Sequence, residues 1–195
     1  MSRNVAYDDA LRRGILTEAS ERMRDAGPEG LSLRSLATSQ GTSTTAVYTM
    51  FGGKNGLLAA VGADADSELA AAQRQVLGGR GPLEDLRMLA RAYRLWAVSN
   101  PGLYDLVIRE RHTPHDALLE VVDALVDEGI FRNAPIVDVA SSVWASLHGI
   151  VALEIAAWPG APSSETYFEM QVTAVMRSWL LDASAADRLS DSRAG

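Results

Sequence analysis

The stretch LSLRSLATSQGTSTTAVYTMFGGKNGLL, residues 31–58, decides the fold of this chain. Ser32 and Ser43 each precede a short segment whose apolar residues recur at helical spacing. A serine hydroxyl at such a position can accept a hydrogen bond from a free backbone N–H one turn later and so cap a helix. Gly41, between the two segments, can adopt a positive φ without a steric penalty. The pattern predicts two short helices joined by a tight turn.

The second predicted helix, residues 44–50, carries a polar face that suits duplex DNA. Two short helices joined by a glycine-containing turn can place the second helix in the major groove. Hydroxyls can bond phosphates or base edges, and threonine methyls can contact thymine methyls. Tyr48 and Lys54 suit the phosphate backbone. From periodicity alone, a small helical hairpin with a polar surface is an equally good interpretation.

The segment resembles the DNA-binding domain of the TetR family of transcriptional repressors over roughly the first 60 residues. The matching positions are Ile15, Ala19, Gly27, Leu33, Leu36, Ala37, Gly41, Ser43, Val47, Tyr48, Phe51, Lys54, Leu57 and Leu58. The resemblance implies that residues 33–40 form the first helix of the motif and residues 44–50 the recognition helix. Together with the polar face, it predicts a DNA-binding set made of Ser32, Ser43, Thr44, Thr45, Tyr48, Thr49 and Lys54.

The composition indicates a folded chain without thiol chemistry. At 195 residues, 47% of them hydrophobic, the chain can bury a core in one or two domains. It contains no cysteine, which excludes disulfides. The N-terminal stretch lacks the apolar core of a secretory signal, and the longest apolar run, residues 143–158, is interrupted by His148 and Glu154. We therefore expect a cytoplasmic protein without a membrane segment.

Charge is distributed unevenly along the chain, whose net charge is −7. Residues 1–58 carry seven basic and six acidic groups, whereas residues 59–195 carry eleven basic and nineteen acidic groups. The acidic excess therefore lies away from the predicted DNA-binding end. A net charge of +1 on residues 1–58 does not make a strongly basic surface, so the positions of individual cations must attract the DNA. We therefore expect the DNA affinity to depend only moderately on salt concentration.

The remainder of the chain predicts only helices, with no strand pattern and no internal repeat. We predict an all-α protein of about nine helices. A three-helix helix-turn-helix domain occupies residues 1–56, an effector-binding and dimerisation domain residues 57–183, and a flexible tail residues 184–195. Asn100 is expected to cap one helix, and Thr166 with Glu169 predicts a capping box at the start of the last helix.

Small residues recur along the predicted helix at residues 135–158, namely Ser141, Ala145, Gly149, Ala152 and Ala156. Such a groove lets another helix approach closely, either within the chain or from a second copy. A twofold pairing of the last two long helices would make a four-helix interface. Because a twofold helix-turn-helix protein reads a palindromic site, we predict a homodimer on double-stranded DNA with a palindromic operator.

The second half resembles a subclass of TetR C-terminal domains. The sequence WASLHG, residues 144–149, resembles that subclass's Trp-x-x-x-His-Gly signature, and PGLYDL, residues 101–106, resembles its Pro-x-Leu-Tyr helix. The resemblance implies ligand binding and dimerisation. Ligand sites are mostly apolar with a few polar groups. The candidate pocket residues, each of which can instead be a plain core residue, are Tyr93, Trp96, Tyr104, Trp144 and His148.

These features predict a ligand-responsive transcriptional regulator. The resemblance implies that it acts as a repressor and that a largely apolar small-molecule effector releases it from DNA. An effector that binds another conformation better would move the recognition helices out of register. The alternative is a helical protein-interaction module without sequence-specific DNA binding. No nucleophile–base–acid arrangement, phosphate loop or HExxH motif suggests an enzyme. Glu110, His112 and His115 are poorly spaced for a metal because Pro114 prevents a regular helix there, so we predict neither metal nor cofactor.

Overall fold

The computed structural model describes residues 2–111, 113–157 and 164–181. Within these ranges the regular structure is helical, with a short 3-10 turn at Pro28–Gly30, and the only β-type pairing is an isolated bridge between Phe131 and Leu180. The α-helices are α1 (Ser2–Ala26), α2 (Leu33–Ser39), α3 (Thr44–Phe51), α4 (Lys54–Gln75), α5 (Pro82–Ser99), α6 (Pro101–Glu110), α7 (Asp116–Asp127), α8 (Ile136–Ile155) and α9 (Ser164–Trp179). The predicted all-α class and the number of helices are confirmed for the part of the chain that the structure describes.

Two predicted helix caps are wrong in their details. α9 begins at Ser164, so Thr166 lies inside the helix instead of capping it. Glu165 stands in the first turn, where a negative charge favours the helix dipole. Asn100 does occupy the position before α6, but its side chain makes no capping bond. Its Oδ1 accepts from Arg24 Nη1 instead, because α1 supplies a charged donor.

The helices pack into two compact units. Unit 1 comprises Met1–Glu68 and Ser99–His112, and unit 2 comprises Leu69–Val98 and Thr113–Gly195. α6 therefore belongs to unit 1, although it is distant in sequence from α1 to α3. The functional domain boundary at residue 56 stays a prediction. The two packing units have other boundaries, because α6 packs on α1. The predicted tail, residues 184–195, lies outside the described residues.

Within unit 1, α6 approaches α1 at a glycine. An ideal Cβ on Gly102 would lie 2.0 Å from the carbonyl oxygen of Met23 and 2.5 Å from the backbone nitrogen of Gly27, so only glycine fits. Leu103 and Val107, on the following turns of α6, are buried. At the end of α6, the Arg111 guanidinium pairs with the carboxylate of Asp66 on α4. Unit 1 therefore contains α6 as a firmly packed part.

Within unit 2, charged side chains of α5 pair with acids of α8 and α9. Arg94 donates two hydrogen bonds to Glu154, at 2.8 and 2.7 Å. Arg91 Nε donates to Glu169 Oε1 at 2.7 Å, and the nearly fully buried Arg87 lies 4.0 Å from the same carboxylate. These pairs neutralise charge that burial would otherwise disfavour.

α8 leaves much of its apolar surface uncovered within the chain. Its mean hydropathy reaches 1.6, yet only 28% of the most apolar 18-residue window is buried. By length and composition alone it is the one described helix that could cross a membrane, which is weak evidence because helices of soluble proteins also meet this test. An exposed apolar face of this kind is typical of an interaction surface.

Candidate DNA-binding surface

Two serine hydroxyls fix the starts of the motif helices. Ser32 Oγ accepts from the backbone N–H of Ser35 at 3.3 Å, and Ser43 Oγ accepts from that of Ala46 at 3.2 Å. Between the helices, Gly41 adopts a φ of +61°. Each cap satisfies a backbone donor that the first helical turn cannot pair by itself. α2 and α3 therefore begin where the sequence predicts.

α3 separates an apolar face from a polar one. Val47 and Phe51 are buried, whereas Tyr48 exposes 58% of its surface. Thr45 and Thr49 are also exposed. The Thr49 hydroxyl donates to the Thr45 carbonyl oxygen at 3.0 Å, which leaves its oxygen able to accept from another donor. The outward face of α3 therefore offers hydroxyls and one aromatic ring to whatever binds there.

The junction between α3 and α4 depends on closely packed glycines. Gly52 ends α3 in the left-handed region, with φ +74°, and its N–H donates to the Tyr48 carbonyl at 2.8 Å. An ideal Cβ on Gly56 would lie 1.7 Å from the carbonyl oxygen of Phe51. The first turn of α4 thus packs directly against the end of α3. This contact fixes the position of Lys54 relative to the polar face.

Lys54 is the only lysine of the chain and the first residue of α4. It is half-buried and lines an open cleft of about 470 Å³. Arg109, Glu29 and Glu110 line the same cleft. The two acids offset the attraction of the two cations for phosphate, which agrees with the small net charge of this end of the chain.

A network on α1 holds α2 in place. Arg22, one turn after Glu18 and paired with it, donates to Ser35 Oγ at 2.9 Å and to Ser39 Oγ at 3.1 Å. Gln40 Nε2 donates to Glu18 Oε2 at 2.6 Å. Ser39, Gln40 and Arg22 together lower the pKa of the Glu18 carboxyl. The sequence signal for this network is the spacing of four residues between Glu18 and Arg22, which predicts an ion pair on one helix. It does not predict that Arg22 also bonds serines of α2.

Arg12 makes a second contact between α1 and the motif. Its guanidinium carbon lies 5.0 Å from the centroid of the Phe51 ring, in a cation–π arrangement. Arg13 is exposed. Arg12 therefore contributes to the packing of α3, a role that its place in the sequence does not reveal.

The predicted DNA-binding residues lie together in unit 1. Five are exposed, namely Ser32, Ser43, Thr45, Tyr48 and Thr49. Thr44 and Lys54 are half-buried. None of these seven side chains is withdrawn into the core. Their contacts with DNA stay a prediction.

The predicted ligand residues are divided between the units. Tyr93, Trp96, Trp144 and His148 belong to unit 2, whereas Tyr104 on α6 belongs to unit 1. The rings of Trp144 and His148 stack with their centroids 6.2 Å apart. Burial lowers the pKa of the His148 imidazole, which therefore is mostly uncharged at neutral pH. The structure does not bring all five residues into one unit, and their role in ligand binding stays a prediction.

Family models match most of the chain. Residues 15–61 match the bacterial regulatory proteins of the tetR family, and residues 86–175 match the tetracyclin repressor-like C-terminal domain. The first match contains the whole of α2 and α3. The second contains α6 to α8 and most of α5 and α9.

Known proteins of similar sequence or fold are mainly regulators. An HTH-type transcriptional regulator of Mycobacterium tuberculosis (strain H37Rv) is 32% identical over 133 residues, 65% of this chain and 56% of that protein. The chain thus spans 56% of the length of the curated relatives it matches. A protein of unknown function from Rhodococcus sp. RHA1 has a TM-score of 0.75 at 25% identity, covering 87% of this chain and 95% of that one.

RolR, solved with its ligand resorcinol, shares the fold at 16% identity, with a TM-score of 0.69 and coverage of 95% of this chain and 96% of RolR. The matching families are families of transcriptional regulators rather than enzymes.

Proposed function

Because the chain belongs to the TetR family of bacterial transcriptional regulators, we propose that it binds double-stranded DNA as a homodimer and regulates transcription in response to a small molecule. The observation that carries the proposal is the exposed hydroxyl-rich face of α3, held by the Ser43 cap and by the glycine junction with α4. In this proposal, α3 enters the major groove, and Thr44, Thr45, Tyr48 and Thr49 face the DNA. Lys54 and the capping serines contact phosphates.

The uncovered face of α8 supports the homodimer. Val137 and Leu153 on α8 are 60% and 46% exposed, and Met170 on α9 is 49% exposed. An ideal Cβ on Gly149 would meet no atom within 4 Å. Exposed apolar residues can mark an interaction surface, and a twofold arrangement of α8 and α9 would bury such residues in a four-helix interface. A partner copy there would also account for the apolar face of α8 in a protein that we propose to be cytoplasmic.

The dimer determines what kind of DNA site is read. A twofold axis would present two copies of α3 to successive major grooves, about 34 Å apart along the duplex. Such a pair binds a palindrome, since each half-site meets the same side chains. We therefore propose a palindromic operator.

Unit 2 is the proposed site of the effector. Trp144 and the uncharged His148 lie side by side there, and ligand pockets combine apolar walls with a few polar groups of this kind. RolR, which shares the fold, binds resorcinol, a small hydroxylated ring. The proposed mode is repression that the effector releases, because an effector that prefers another conformation shifts the population away from the DNA-binding state.

Selection of bound DNA from a random pool tests the proposed function. The purified full chain is expected to enrich a palindrome whose half-site centres lie about 10 base pairs apart, one helical turn. The enriched sequence should then bind in a gel shift and resist competition by unrelated DNA. Enrichment of no common sequence would instead favour the protein-interaction module.

Truncating Tyr48 or Lys54 is expected to weaken operator binding while leaving the dimer intact. Tyr48→Ala removes the largest exposed side chain of α3 and its proposed bond to a phosphate, and loss of a hydrogen bond to a charged group costs about 1.5–3 kcal/mol. Lys54→Ala should weaken binding to all sequences alike and reduce the salt slope by about 1 for each phosphate that is no longer neutralised. Fluorescence anisotropy with the selected operator measures the affinity, and sedimentation measures the mass.

Arg80→Ala is the matched control, because it removes a positive charge from an exposed loop outside the motif. This variant should bind the operator with nearly wild-type affinity. The predicted face is wrong if both Tyr48→Ala and Lys54→Ala also bind like wild type.

A further inference from the structure

Gln73 places an unpaired acceptor inside unit 2. The residue is 2% exposed, and its Oε1 has no hydrogen-bond partner among the described residues. Buried side-chain polar atoms are nearly always paired, because an unpaired one loses its hydration without compensation. Gln73 follows the buried Leu69 by one helical turn, at a place where an apolar side chain would pack without this cost. Its amide therefore calls for a reason other than stability.

The end of α4 is anchored next to this side chain. The guanidinium of Arg74 donates two hydrogen bonds to the Glu120 carboxylate on α7, both at 3.0 Å. Gln75, two residues after Gln73, is exposed. Residues two positions apart lie on roughly opposite sides of a helix, so α4 places Gln73 inside and Gln75 outside.

An unpaired donor is buried in the same unit. Trp144 Nε1, on α8, also lacks a partner among the described residues. The indole N–H can only donate, whereas the amide oxygen of Gln73 can only accept. A third unpaired atom, Trp179 Nε1, lies at the end of α9, where the Arg132 guanidinium covers its ring at 4.7 Å. Gln73 and Trp144 thus call for opposite hydrogen-bonding groups.

The arginines of α5 that reach α8 and α9 already have acidic partners. Arg91 and Arg94 on α5 are paired with Glu169 and Glu154. His148, next to Trp144, has its pKa lowered by burial and so is mostly uncharged. A donor that reaches the buried Gln73 Oε1 must leave water, and burying a neutral group costs less than burying a charged one. A neutral molecule with a hydrogen-bond donor would satisfy Gln73 Oε1.

We propose that Gln73 determines the specificity of effector binding, with its Oε1 accepting a hydrogen bond from a hydroxyl or N–H group of the effector. The effector is then a neutral molecule with an apolar frame and at least one hydrogen-bond donor. This inference rests on the proposed function of unit 2 as the effector domain. A site built to bond a hydroxyl strongly rejects an analogue that lacks it, because the buried acceptor is then left unpaired.

The first test is the thermal stability of Gln73→Met. Methionine has a similar length and no hydrogen-bonding requirement, so removal of an unpaired acceptor should leave Tm unchanged or raise it by a few degrees. Gln75→Met, on the exposed side of the same helix, is the matched control and should leave Tm unchanged. A clear fall in Tm for Gln73→Met alone would show that Gln73 stabilises the fold, and would overturn the proposal.

The second test uses pairs of compounds in which a methyl group replaces a hydroxyl, namely phenol with toluene and 2-naphthol with 2-methylnaphthalene. On the wild-type protein, the hydroxyl compound of at least one pair is expected to bind at least about tenfold more tightly than its methyl partner. In Gln73→Met the difference should disappear. Equal responses to both members of every pair on the wild-type protein, including no response to any of them, would overturn the proposal.

DNA binding separates this inference from the function on which it rests. Without any probe, Gln73→Met should bind the selected operator like the wild-type protein, because Gln73 lies outside the motif. If the wild-type protein selects no DNA sequence, the regulator proposal fails, while the hydroxyl preference can still be present. If the operator binds but the hydroxyl preference is missing, only the role of Gln73 fails.

Discussion

Gly149→Arg is expected to convert the proposed homodimer into a monomer and to lower affinity for the selected operator about 100-fold or more, because the two half-sites are then bound independently. Gly149 lies on the exposed face of α8, and an added Cβ would meet no atom of its own chain within 4 Å. A side chain can therefore begin at this position without a clash in the isolated chain. In a twofold interface, however, arginine would force two long cations into a groove shaped for small residues.

The folded monomer should not suffer from this change. Glycine inside a helix is less favourable than arginine by about 0.5–1 kcal/mol, so Tm measured on the monomer should stay equal or rise. Sedimentation velocity at micromolar concentration measures the mass, and fluorescence anisotropy measures binding to the selected operator. Ala71→Arg, which changes another exposed small residue, on α4, is the control and should remain dimeric. A Gly149→Arg protein that still sediments as a dimer would place the interface elsewhere.

Gly102→Ala is expected to destabilise the protein by about 3 kcal/mol or more, which for a chain of this size corresponds to a fall in Tm of about 6–12 °C. The new Cβ would lie 2.0 Å from the Met23 carbonyl oxygen and 2.5 Å from the Gly27 backbone nitrogen. Both neighbours are backbone atoms, which cannot rotate away as a side chain can. α6 must therefore separate from α1, exposing Leu103 and Val107.

Thermal unfolding followed by circular dichroism measures this effect. Gly30→Ala is the matched control, because an ideal Cβ at Gly30 meets nothing within 4 Å. It should unfold at nearly the wild-type temperature. A Gly102→Ala protein with a wild-type Tm would contradict the close approach of α6 to α1.

The order and type of the helices could be predicted because local signals specify them. Ser43 and Gly52 mark the two ends of α3, and both act in the structure through bonds to residues within one helical turn. Caps that compete with partners distant in sequence were not predictable. Asn100 bonds Arg24, 76 residues away, instead of capping its own helix, and no local pattern contains that information.

The exposed half of the candidate site follows from periodicity, whereas the buried half does not. Tyr48 and Val47 are neighbours on opposite faces of α3, and their residue types already suggest which side is exposed. From the sequence, a glutamine such as Gln73 in an alanine-rich helix is expected at the surface. Only the packing of unit 2 shows that its side chain is a buried acceptor. The membership of α6 in unit 1 was likewise hidden, because it depends on the contact of Gly102 with a carbonyl oxygen far away in sequence.

The packing of α6 against α1 has a consequence for hybrid regulators, in which the DNA-binding domain of one protein is joined to the effector domain of another. A splice at residue 56 or 68 would transfer α1 to α3 and leave behind the segment that covers the end of α1. In such a hybrid, α1 of this protein would pack against α6 of the other protein. The residue of that helix equivalent to Gly102 would also have to be a glycine to allow the same backbone contact. A hybrid that transfers residues 99–112 together with residues 1–68 keeps the contact between α6 and α1, and so is the better starting point for a functional chimera.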